Sequence, residues 1–208
     1  MSAASGVVEL ADDEEYADLD LSEVRPGDEP WRRRRFVRCR FAEADLRGLV
    51  TEGCSFDECD FTSADLGESA HRGTAFRTCT VHRAALGGAS FRGCSLLGSS
   101  VMDCRLRPIT LTDCDFTLAA LGRADLRETD LSGLRLREAN LVEADLRGCD
   151  LRRSDLSGAR LRAARLDGAD LRGARIDPEG WTQARLTGAT VDPEQALAFA
   201  AAHTLRIS

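Results

Sequence analysis

From Phe36 to Val191 every fifth residue is large and apolar, and over thirty-two such positions only Thr51 and His71 break the rule. Two residues before these centres a small side chain recurs, as at Cys54, Cys59, Ala64, Ala124, Ala144 and Ala169. The positions between are mostly polar, with Asp often preceding the centre and Arg often following it. The unit A-D-L-R-G is spelled out at Ala44–Gly48, Ala144–Gly148 and Ala169–Gly173. A period of five fits neither the 3.6 of a helix nor the 2 of a strand. It predicts a solenoid, in which each short unit buries one face only by stacking on its neighbours. Such a body has no natural cleft, so function is expected on its outer surface.

The same pattern divides the chain. Residues 1–30 are an acidic leader without a core of their own, expected to be mobile. Tyr16 and Leu21 nevertheless fall on the five-residue register, which leaves a frayed first coil open there. Residues 31–191 are the repeat body, with no shift of register and so no projecting loop. Asp177-Pro178-Glu179-Gly180-Trp181 predicts an irregular corner in which Trp181 plugs one coil. In the last segment, 192–208, Asp192 reads as an N-cap, Pro193 as the first helical residue and Gln195 as a capping-box partner. The alanine-rich run that follows is a strong helix former.

Charge and cysteine usage sharpen this picture. Ten acids and one arginine give residues 1–30 a net of -9, whereas 27 arginines and 25 acids give the rest +2. Outward positions sorted by face show no strongly negative side. No stretch is apolar enough for a membrane span or a signal peptide, so a cytoplasmic protein is expected. All eight cysteines occupy the small position two before a centre, which points to packing rather than to metal ligation or disulfides. No metal or cofactor is expected. The chain has no lysine, hence no Walker A or Schiff-base lysine. His71 takes an inward position, His82 is outward and isolated, and His203 ends the terminal helix. No enzyme is expected.

An apolar centre, a small residue two before it and frequent Asp before the centre make the signature that the pentapeptide-repeat family resembles, over about 155 of the 208 residues. The resemblance implies an all-β solenoid: a right-handed quadrilateral β-helix of about eight coils with a C-terminal α-helix. At ~4.8 Å per coil the column would be roughly 38 Å long. The segments Glu68–Gly73, Cys104–Pro108, Asp115–Ala119 and Ala198–His203 are similar to the branch of that family that confers fluoroquinolone resistance and binds DNA gyrase. That branch implies a mimic of duplex DNA, dimeric through its C-terminal helices. Pro193, Ala196, Leu197, Phe199, Ala200 and His203 would then form the joint.

A DNA mimic needs negative potential, and with a near-neutral body this falls to local clusters. Asp103, Asp113, Asp115, Glu128 and Asp130 are the expected gyrase-binding residues, with the acidic leader as a rival source. No direct binding of nucleic acid is expected on this reading. The alternative is an arginine-rich nucleic-acid-binding or scaffold protein, with Arg32–Arg35 contacting phosphates.

Overall fold

The computed structural model describes residues 10–206. The chain winds as a β-solenoid with a step of twenty residues, so four five-residue units make one coil. Each short strand pairs in parallel with the strand twenty residues on, as in Glu15–Ala17 with Arg35–Val37, then Ser55–Asp57, then Ala75–Arg77. Single bridges continue the same register as far as Asp170↔Thr190. The second residue after most centres turns the corner in the left-handed region, for example Glu43 (φ 65°), Glu58 (φ 56°) and Gly53 (φ 64°).

The centres fill the lumen. Phe36, Phe56 and Phe76 stack with ring centroids 4.9 Å apart and planes within 9°, and Phe41 stacks on Phe61 in the same way. Further along, leucines from Leu121 to Leu171 replace the aromatics, all buried. Burial of these side chains from water is the main stabilising term, since no unit could shield its own centre.

Within the described residues the leader packs onto the column as a first coil. Glu15–Ala17 add a parallel strand to the column, Tyr16 stacks on Phe36 at 5.4 Å and Leu21 is buried. Residues 1–9 lie outside the described residues. The expected irregular corner at Asp177–Trp181 is instead a short helix, α1 (Pro178–Gln183), which carries the buried Trp181. The terminal helix is α2 (Pro193–Ala202), and its capping box forms with Asp192 and Gln195.

The cysteine positions have a second cause besides volume. Every one of the eight thiols donates to the carbonyl of the centre 23 residues earlier, from Cys39 to Tyr16 O through Cys149 to Leu126 O. In units built as tight turns the centre carbonyl already accepts the amide three residues on, as Phe41 O does from Ala44. Strand-type units lack that bond, and in most of them Cys, or Ser99 reaching Phe76 O, supplies the donor, whereas Cys149 shares Leu126 O with the Thr129 amide. Seven buried thiols and the half-buried Cys104 are thereby held in place. Burial pushes the Cys104 and Cys149 thiols up to about 11.

Candidate partner-binding surface

The outward residues are built by the same local rules. An Asp one before the centre turns its Oδ1 to the amide two residues on, as Asp60 does to Thr62, Asp130 to Ser132 and Asp150 to Arg152. In the C-terminal half its other oxygen is gripped by the Arg after the centre: Arg127–Asp125, Arg147–Asp145 and Arg172–Asp170 lie at 2.6–2.7 Å. The Arg127 fork bonded to Asp125 holds that carboxyl down at about 2. Most face carboxylates are therefore spoken for, each exposed pair contributing under ~1 kcal/mol.

The five acids expected to bind a partner do not form one patch. Asp103 and Asp113 are ten residues apart, which on a twenty-residue coil is half a turn, so they stand on opposite corners. Asp113, Asp115, Glu128 and Asp130 share adjoining faces, while Asp103 stands on the corner opposite Asp113 and one face from Glu128. Asp115 is engaged as well: its carboxylate accepts from Thr117 and lies 3.0 Å from Arg135 Nε. Burial works to raise its pKa, but the Thr117 and Arg135 hydrogen bonds hold it below the usual range. Glu128 lies 3.5 Å from Arg107. Asp113 and Asp130 are exposed and free of ion pairs among the described residues.

Charge is layered along the axis. Residues 51–70 carry Glu52, Asp57, Glu58, Asp60, Asp65 and Glu68 with no arginine, and residues 71–90 carry Arg72, Arg77 and Arg83 with no acid. Sequence reasoning missed the strongest case. Arg33, Arg35, Arg38 and Arg40 each pair with the acid twenty residues earlier, Asp13, Glu15, Asp18 and Asp20. The signal was present as opposite charges at the coil step, but it carries meaning only once the leader is known to form a coil.

At the C-terminal end Leu197 is 54% exposed and Phe199 is half-buried edge-on against Trp181 at 6.2 Å. Pro193, Ala196 and His203 are exposed. Ala200 is a correction to the expected joint: it faces the column and is buried within the single chain. Beside it an apolar cleft of about 220 Å³ opens between Trp181, Leu186, Ala189, Val191, Ala196 and Phe199. Among the described residues no His, Cys, Asp and Glu group could hold a metal, and no helix is long and apolar enough to cross a membrane.

A parallel column of five-residue units with a lumen of stacked centres defines a β-solenoid of pentapeptide repeats. Eight copies of the pentapeptide-repeat model match the chain, over residues 35–69, 114–153 and 139–176, and the chain belongs to the pentapeptide-repeat family. It is 62% identical over 40 residues to the pentapeptide repeat protein MfpA of Mycobacterium tuberculosis, a stretch covering 19% of this chain and 22% of that protein. The matched stretch thus spans about a fifth of that relative's length. Solved structures of QnrB1, a plasmid-mediated fluoroquinolone resistance protein, share the fold. A trypsin-treated variant superposes with TM-score 0.82 at 21% identity, covering 95% of this chain and 99% of that one. Full-length QnrB1 gives 0.74 at 21% identity, covering 89% and 97%.

Proposed function

We propose that this protein is a fluoroquinolone-resistance pentapeptide-repeat protein that binds DNA gyrase in place of DNA, inhibiting supercoiling or protecting the enzyme from quinolone-like poisons. The observation that carries the reading is the 62% match to MfpA over 40 residues, on a column whose shape follows QnrB1 almost end to end. The contact surface is the side bearing Asp113, Asp115, Glu128 and Asp130. Asp103, on the opposite corner, is left out of it. Docking on a cationic DNA channel is an electrostatic task and weakens as salt rises. The rival reading, direct contact of nucleic acid by Arg32–Arg35, is opposed by the acids that already hold Arg33, Arg34 and Arg35.

The test is a gyrase supercoiling assay with purified protein, with drug-stabilised cleavage measured in parallel. Wild type should inhibit supercoiling or suppress cleavage at micromolar concentration, less so at high salt. Reversing Asp113 and Asp130 to Arg should remove the effect without unfolding the column, because both side chains are exposed. If wild type leaves both reactions unchanged, the gyrase reading is wrong.

A further inference from the structure

Four outward arginines in one coil each hold a carboxylate of the coil before it, an anionic occupant supplied by the same chain. Arg33 and Arg38 engage Asp13 and Asp18 through both Nε and Nη2, with Nη2 at 2.6 and 2.7 Å. Arg35 lies 3.5 Å from Glu15 and Arg40 3.2 Å from Asp20. Planar forks of this kind take phosphate as readily as carboxylate. The four stand two, three and two residues apart, about 7–10 Å at strand rise, along the wall of a single coil. Arg34 is different: it points inward, 8% exposed, over the Trp31 ring and onto Asp12, and belongs to the packing.

The occupant is fastened on only part of its perimeter. Its ladder bonds run from Asp13 to Leu21, for instance Asp18 N to Val37 O and Leu21 N to Arg40 O. Among the described residues no backbone bond ties residues 25–30 to the next coil. A cleft of about 340 Å³ separates Pro26, Gly27, Asp28 and Glu29 from Arg47, Gly48 and Val50 there. Of the apolar side chains in residues 10–30 only Leu21 is fully buried.

We infer that Arg33, Arg35, Arg38 and Arg40 form a binding site for the phosphate backbone of a nucleic acid, and that the acidic first coil masks it in the resting protein. The site follows one bent coil, so a flexible single strand can track it and a stiff duplex cannot follow the corners. The inference is independent of gyrase, because it is read with nucleic acid and this protein alone.

The test replaces Asp13, Asp18 and Asp20 with Asn and Glu15 with Gln. Asn tolerates the left-handed backbone at Asp13 and Asp18 and keeps the Asp20 bond to Ser22 N. Fluorescence anisotropy with a labelled single-stranded oligonucleotide should show at least tenfold tighter binding than wild type. Log affinity should fall against log salt with a slope near -3, from about -0.7 per neutralised phosphate. Adding Arg33→Gln and Arg38→Gln should abolish the gain. A control neutralising Glu43, Glu138, Asp167 and Glu179, which form no ion pair among the described residues, changes net charge equally and should gain nothing. Should the fourfold variant lose its β circular dichroism, Asp13→Asn with Asp18→Asn alone should show part of the gain. Equal binding by wild type and variant, an equal gain in the control, or poly-glutamate binding as tightly as the oligonucleotide would each overturn the inference; the last would make it a site for acidic protein segments.

Discussion

His71 shows how one residue sets a pH limit on the whole column. Its ring is fully enclosed, with Nδ1 2.8 Å from Thr51 Oγ1, Nε2 2.9 Å from Ser69 Oγ, and Phe91 packed on it at 4.6 Å. Burial lowers its pKa from 6.5 to about 3, so the folded ring stays neutral where the unfolded one takes a proton. A depressed folded value means stability that is full above about pH 6.5 and falls as pH drops toward 3. Between pH 6.5 and 5, above most carboxylates, wild type should lose roughly 1.5 kcal/mol. His71→Phe should flatten that stretch, since Thr51 still bonds Thr74 and Ser69 still bonds Leu66 O. Urea midpoints at several pH values would decide it, and an equal slope in both proteins would sink the assignment. The inward place of His71 was legible from the register, but its two hydroxyl partners were not. Thr51 meets it only because twenty residues bring one coil onto the next, and Ser69 reaches it from two residues earlier in the same coil.

At the scale of the element, the five-residue register announced the units and the Asp192–Gln195 box announced α2. Side-chain hydrogen bonds across coils stayed hidden. Seven of the eight cysteines, read for their volume, are also donors to carbonyls that strand-type units leave open, which is why those seven gather before residue 115 while alanine serves most turn-type units beyond. The Asp before each centre reads as a surface charge, yet its first task is to hold the amide two residues on. Gln195 combines both lessons. Besides capping Asp192 N, its Nε2 donates to Leu171 O at 2.6 Å and Ala174 O at 2.8 Å, pinning the first turn of α2 to the last coil. Leu171 O keeps the Ala174 amide, so Gln195→Ala should strand mainly the Ala174 carbonyl and cost about 1–3 kcal/mol. Hydrogen exchange should then quicken in α2 and leave the column amides unchanged. Unchanged protection in α2 would show that the pin does not matter.

Across the whole molecule the repeat made the solenoid legible at once, because its period admits no other way to bury the centres. The binding surfaces were far less so, since a column shows every side to solvent and each charge counts only with its neighbours a coil away. The C-terminal end is the exception, where apolar residues stand outside the repeat and are only partly covered by the described residues. Leu197 is more than half exposed and Phe199 is half-buried against Trp181, beside an open apolar cleft at the end of the column. An uncovered column end is also a hazard, since open strand edges and apolar surface invite uncontrolled association. A two-fold joint through α2 would close the end and give a rod of twice the length, the form best suited to stand in for a segment of DNA. Leu197→Asp probes this joint: the side chain is exposed in the single chain, so the substitution should leave the fold intact and place an unpaired charge only within a joint. Light scattering should report a dimer for wild type and a monomer for Leu197→Asp, with β circular dichroism unchanged. The monomer should also inhibit gyrase more weakly, if length along the DNA channel is what the rod supplies. A variant that remains dimeric would move the joint elsewhere, and a wild type that is monomeric would remove it.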